Sequence, residues 1–303
     1  MRKLTIAVIC ALVLGSWEAG AQAKTIGVAL ASDTNPFYIA MLKGIEKRAG
    51  ELGYEISVVN AEEDVAKQLN GINDLIAKGV DAILISPIDA KALCSGFDRA
   101  KAAGIPMMSI ARGSACESQL LHIASDERRI GGEIAAWTAG QLGGEGKVAM
   151  LAGPAGAQAF INFAKGYADE MAKHPGIEIV YRQEMLLTRE NGLKNGEDAL
   201  VAHPDLDAIY GANDELGMGA AQAVAAAGVK DRVIVTGLNG IPPAVRAVKN
   251  GSMDLTVVLN PLKWGTLGAD TADAVLSGKA FESKVYVAHV LVDKTNVDQF
   301  IRK

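Results

Sequence analysis

Few residues in this chain could do covalent chemistry. No G-x-S-x-G elbow, H-E-x-x-H pair, Walker lysine loop or C-x-x-C occurs in the 303 residues, so no activated nucleophile, zinc-bound water or phosphate cradle is indicated. Gly143-Gly144-Glu145-Gly146-Lys147 is glycine-rich, yet it precedes a strand-like run instead of opening a helix, which makes it a turn. The four histidines lack metal-ligand spacing: His174 and His203 each precede Pro, His122 sits in an apolar run and His289 is isolated. No catalytic residue, cofactor or metal site is expected. The chemistry left is recognition.

Recognition has a candidate in Ser32 to Tyr38, SDTNPFY. Asn35 can make two hydrogen bonds side by side through one amide, Pro36 stiffens the turn, and Phe37 and Tyr38 offer flat apolar faces suited to a sugar ring. The same residues also read as a helix start, with Asn35 as cap, Pro36 in the first turn and Phe37 in the core. Both readings place the segment between two strands. Thr25 to Leu30 and Glu55 to Val59 are apolar, β-branched runs, and Phe37, Met41, Ile45, Ala49 and Leu52 recur between them at helical spacing. A strand, helix, strand unit puts SDTNPFY at the carboxyl end of the first strand, where open α/β sheets bind ligands.

The unit repeats. Helical patterns around Val65 to Ile76 and Ala92 to Ala103 alternate with strand patterns at Ala82 to Ser86, Ile105 to Ile110 and Leu121 to Ser125. A second series then runs from Lys147 to Gly237. Lys43-Gly44 returns as Lys165-Gly166, Asn70-Gly71 as Asn195-Gly196, and Asp81-Ala82-Ile83 as Asp207-Ala208-Ile209, at an offset of about 122 to 126 residues. The predicted class is α/β, with two similar doubly wound parallel-sheet lobes facing each other across a cleft.

Residues 1–23 form an export leader, with a basic start, an apolar run too short to span a bilayer, and Ala21-Gln22-Ala23 as cleavage site. The mature chain then begins at Lys24, with no later membrane insertion. A net charge of −5 and no long basic run argue against a nucleic-acid partner. Only Cys94 and Cys116 follow the leader; in an oxidising compartment they either pair as a disulfide or remain as two thiols.

The whole of 24–303 resembles the ribose- and galactose-type periplasmic binding proteins, the sugar-binding branch of the type I solute-binding family that serves ABC importers. The resemblance rests on NPFY at 35–38, DAILISP at 81–87, HIASD at 122–126, AHPDLDAIYGANDE at 202–215, VTGLNG at 235–240 and VVLNP at 257–261. It implies a three-strand hinge near Asp126, Asn260 and His289, an N-terminal lobe of 24–126 plus 260–288, and a C-terminal lobe of 127–259 plus 289–303. It also implies a ligand-binding set of Asn35, Phe37, Tyr38, Arg112, Phe163, Asn213, Asn239 and Asn260. Asn213 and Asn260 are also natural helix starts, and Trp264 reads as core packing before ligand contact.

Departures from the ribose pattern bear on the ligand. Ala111 stands where ribose-type members carry Asp, Phe163 where they carry Arg, Leu187 where they carry a stacking aromatic, and Leu259 where they carry a hinge glutamine. Lost hydroxyl partners cost about 1 to 3 kcal/mol each in a closed cleft. The expected ligand is therefore less hydroxylated than ribose: a deoxy sugar, a short polyol or a furanose-like molecule. The implied role is a monomeric periplasmic solute-binding protein that delivers its ligand to ABC permease subunits. The alternative is a sensor of the same fold read by a chemoreceptor or sensor histidine kinase.

Overall fold

The computed structural model describes residues 23–301, so the export leader expected over 1–23 lies outside the described residues, Ala23 apart. The first series comprises β1 (Thr25–Leu30), α1 (Pro36–Leu52), β2 (Glu55–Asn60), α2 (Val65–Ala77), β3 (Ala82–Ile85), α3 (Cys94–Ala102), β4 (Met107–Ile110) and β5 (His122–Ala124). The second comprises α4 (Glu127–Gln141), β6 (Glu145–Ala152), α5 (Gln158–Met171), β7 (Gly176–Glu184), α6 (Arg189–Ala202), β8 (Ala208–Gly211), α7 (Asp214–Ala226), β9 (Ile234–Thr236), α8 (Pro242–Asn250) and β10 (Leu255–Val258). Helix α9 (Pro261–Leu276) and strands β11 (Lys284–Tyr286) and β12 (Val290–Asp293) follow.

The strands form two six-stranded sheets of matching order, β11-β5-β4-β3-β1-β2 and β12-β10-β9-β8-β6-β7. The chain passes between sheets three times, after β5, after β10 and between β11 and β12. One pairing departs from the all-parallel expectation: edge strand β12 runs antiparallel to β10. A single antiparallel edge on a parallel sheet is common, because only the central strands need helices on both faces.

The repeated motifs hold the lobes together. The Asp81 carboxylate accepts the Thr25 amide at 2.7 Å, clipping β3 to the start of β1. Asp207 does the same for Lys147 at 2.8 Å, between β8 and β6. Gly44 and Gly166 are repeated because helices cross there at backbone contact. A Cβ on Gly44 would lie 2.2 Å from the Leu262 carbonyl oxygen of α9, and one on Gly166 2.0 Å from the Arg128 carbonyl oxygen of α4. Strands β3 and β4 are buried along their whole length, as sheet centres covered on both faces must be. Cys94 at the start of α3 is joined by a disulfide to Cys116 in the loop after β4. Among the described residues no helix is long and apolar enough to cross a membrane.

Candidate functional site

The strand carboxyl ends of the two sheets enclose a cavity of about 30 Å³, room for roughly two waters. From the first lobe it is lined by Asn35, Phe37, Tyr38, Ala111, Arg112 and Ser125, with Trp264 from α9. From the second come Ala159, Phe160, Phe163, Leu187, Leu238, Asn239 and Leu259. Of the residues singled out in the sequence, the structure thus brings together Asn35, Phe37, Tyr38, Arg112, Phe163 and Asn239.

Asn35 satisfies both of its readings. Its Oδ1 accepts the Phe37 amide at 3.0 Å, capping α1, while the residue lines the cavity. The cap fixes the first helical turn and so aims Phe37 and Tyr38 at the cleft. Their rings meet edge to face with centroids 5.5 Å apart, and Phe37 meets Trp264 likewise at 5.9 Å. Tyr38 accepts the Ser86 hydroxyl at 3.2 Å. Burial pushes its phenol above the ordinary range, so it stays a neutral hydroxyl.

Arg112 follows β4 through a tight turn in which its amide donates to the Ile110 carbonyl at 2.8 Å, with Ala111 at φ +67° between them. Such a three-residue turn with positive φ is rare and strained. The guanidinium is 1% exposed. It lies 5.5 Å from the Tyr38 ring centroid and 5.4 Å from that of Phe160, which spans the cleft. Both terminal nitrogens donate to Glu63 at 2.8 Å, while Nε has no partner. Trp264 Nε1 is equally buried and unpartnered. Two residues of one cavity wall thus each carry a buried N–H donor without an acceptor.

Asn213 and Asn260 do not join this wall. Asn213 is buried as the cap of α7, its Oδ1 accepting the Leu216 amide at 2.9 Å, and Asn260 is an exposed cap of α9 with φ +48°. The sequence had offered capping as the other role for both, and their Oδ1 atoms do cap α7 and α9, while the Asn213 Nδ2 is buried without a partner. Phe160, Ser125, Leu238 and Glu63 were not singled out in the sequence. Phe160 falls at helical spacing from Phe163, a signal that could have found it; Glu63 is marked only by a contact to Arg112 made 49 residues away. Trp264 is core and cavity wall at once. Among the described residues no cluster could hold a metal ion.

The cleft is also latched at its rim. The Ala90 amide donates across it to the Gly156 carbonyl at 2.9 Å, and the Ala90 carbonyl accepts the Ala115 amide at 2.8 Å, beside the Cys94–Cys116 disulfide.

Comparison with known proteins agrees with this architecture. The family description "periplasmic binding protein domain" matches residues 26–280. The ribose import binding protein RbsB of Haemophilus influenzae is 36% identical over 290 residues, covering 95% of this chain and 98% of that protein. An ABC transporter solute binding protein from Mycobacterium smegmatis with bound glycerol superposes with a TM-score of 0.89 at 29% identity, covering 93% of this chain and 98% of that one. The fructose binding periplasmic domain of a hybrid two component system gives 0.88 at 25% identity, with coverages of 92% and 93%. With two matching lobes, three crossings between them and a closed cavity at the strand ends, this chain belongs to the periplasmic binding protein family.

Proposed function

We propose that this protein is exported to the periplasm, where it traps a small uncharged hydroxylated solute between its lobes and delivers it to the permease of an ABC importer. The lobes comprise 24–126 with 260–288 and 127–259 with 289–303, and the protein acts as a monomer without a covalent step. Closure is driven by the contacts that ligand makes to both lobes at once, since only the difference in affinity between open and closed states shifts the equilibrium.

The observation that carries this reading is the pair of unpartnered donors, Arg112 Nε and Trp264 Nε1, in the wall of a cavity otherwise lined mainly by apolar side chains. A buried N–H left without an acceptor costs about 1 to 3 kcal/mol, so a ligand oxygen there is favoured. Ala111 and Phe163 supply no hydroxyl partner, which directs the choice away from ribose in its usual pose. It points toward a short polyol, a deoxy sugar or a furanose. The likeness to a protein with bound glycerol supports the polyol end of that range.

A thermal-shift and calorimetric screen of neutral pentoses, hexoses, deoxy sugars and short polyols tests the ligand class. A polyol, deoxy sugar or furanose should bind tightest. Tight ribose binding displaced by galactose would overturn it. The likeness to a two-component sensor domain favours a second reading, in which the same closure is reported to a chemoreceptor or sensor kinase. Neighbouring ATPase and permease genes support import, and a neighbouring histidine kinase gene supports sensing.

A further inference from the structure

We propose that Glu63 sets the charge specificity of the cleft, by occupying the fork of Arg112 and thereby reserving the site for uncharged ligands. This rests on the reading of the cavity as the solute site.

Arg112 is the one charged residue in the cavity wall among the described residues. An exposed fork of this kind binds carboxylates bidentately, and alone it would select an acidic sugar or a carboxylate-bearing solute. Here the fork is taken: Nη1 donates to Glu63 Oε2 and Nη2 to Oε1, both at 2.8 Å. The pair is held in low-dielectric surroundings, with the arginine side chain 1% and the glutamate 19% exposed. Its net charge is zero. What remains for a ligand is the unpartnered Nε–H, and with the arginine charge already balanced by Glu63 it favours a neutral hydroxyl or ether oxygen on charge and not on shape. A ligand carboxylate would meet a neutralised arginine and lose its hydration beside a second carboxylate, without a counter-charge.

The backbone carries an independent sign that this pairing is built in. Among the described residues, five non-glycine positions have positive φ, and three of them lie in or next to the pair: Glu63 itself at +57°, and its neighbours Glu62 at +50° and Ala111 at +67°. Two consecutive left-handed residues after β2 and another before Arg112 are costly conformations, which persist where surroundings hold them for a purpose. The Glu63 amide is tied to the Ala31 carbonyl at 2.8 Å, anchoring the strained turn to the end of β1. Asp64 then caps α2, accepting the Lys67 amide at 2.8 Å, so the turn is fixed on both sides. Ala111, with no carboxylate of its own, leaves the fork open to Glu63.

The test compares wild type with Glu63→Gln, which keeps the side-chain shape, and with Glu63→Ala. Glu62→Ala is the control, since Glu62 pairs with Lys67 at the surface. Calorimetry uses matched neutral and anionic probes, glycerol with glycerate and xylitol with xylonate. Wild type should prefer the neutral member, and Glu63→Gln should shift that preference toward the carboxylate by about 100-fold or more, the scale of close charge-pair coupling. An unchanged ratio overturns the proposal, as does wild type binding the carboxylates equally well. A second arm needs no sugar: acetate should raise the melting temperature of Glu63→Ala in a dose-dependent way by filling the vacated fork, and leave wild type and Glu62→Ala unmoved. Equal acetate responses in all three overturn the proposal. If no neutral probe binds wild type, the solute-site reading fails, and the acetate arm alone decides whether Glu63 occupies the fork.

Discussion

Substituting Gly156 by Ala should weaken ligand binding without loosening either lobe. A Cβ on Gly156 would lie 2.2 Å from Asp89 Oδ2, on the opposite side of the cleft. That overlap exists only when the lobes are shut. Gly156 is absent from the positive-φ glycines, so alanine meets no backbone strain in the open form. To close, the variant must either rotate Asp89 or stop short. Rotation gives up the bonds that Asp89 Oδ1 accepts from the Lys91 and Ala92 amides, both at 2.8 Å. Stopping short breaks the Ala90 to Gly156 bond. Either route costs about 1 to 2 kcal/mol at a net value near 1 kcal/mol per hydrogen bond, which lowers affinity about 5- to 30-fold. Calorimetry with the tightest solute of the screen measures it, and small-angle scattering should show a larger fraction of open molecules at subsaturating ligand. The Asp89→Ala change removes the obstacle, so the double variant should recover most of the loss relative to Asp89→Ala alone, a coupling that a double-mutant cycle isolates. Unaltered affinity in Gly156→Ala would refute the closed-state geometry at this rim.

Trp264→Phe removes an unpartnered buried donor but also empties part of the core beside Phe37, so the ligand-free melting temperature should fall modestly. It should also weaken ligand binding about 5-fold through the lost N–H bond; unchanged affinity would contradict the role given to the indole. Burial raises Glu127 from 4.5 to about 7, where it lines a polar interlobe cavity of about 290 Å³ with His122 and Lys284. Its carboxyl is protonated folded and ionised unfolded across that window, so its stabilising contribution is full below pH 4.5 and is lost as pH rises through 7, by up to about 1.4 kcal/mol per unit. Burial lowers His122 from 6.5 to about 4, which acts with opposite sign: its contribution is full above 6.5 and lost as pH falls through 4. The two slopes oppose each other between pH 4.5 and 6.5, so together they should leave wild type nearly flat there, whereas Glu127→Gln keeps only the His122 contribution and should gain stability as pH rises from about 4 to 6.5; parallel melting profiles of the two from pH 4 to 8 would refute the assignment. Reducing the Cys94–Cys116 bond, which spans 22 residues, should cost about 3 kcal/mol in denaturant unfolding. A Cys94→Ser, Cys116→Ser variant should match the reduced protein and not the oxidised one.

The fold was legible because its signals are local. Period and run length separated helices from strands, and the repeated Asp81 and Asp207 turned out to be strand clips that each lobe needs once. The first-lobe wall was legible in part for a related reason: Asn35, Phe37 and Tyr38 follow a strand end, where a parallel sheet opens its crevice, while Arg112 came only from the resemblance to the sugar-binding family. Asn213 and Asn260 also follow strand ends, yet an asparagine there can cap a helix with the same amide that would hold a ligand, and the sequence does not distinguish the two. Glu63 stayed hidden among the acidic residues of a polar turn, since its partner lies on a different strand end. The antiparallel direction of β12 depends on how the last crossing enters the second sheet, which no short pattern encodes.

The most direct measurement is a crystal structure of the protein with the tightest neutral solute of the screen. Ligand oxygens should lie about 2.7 to 3.2 Å from Arg112 Nε and Trp264 Nε1, with Glu63 still on the arginine fork and both lobes in contact with the solute. A solute bound outside this cavity, or within it but leaving both nitrogens without an acceptor, would contradict the trap described for this chain.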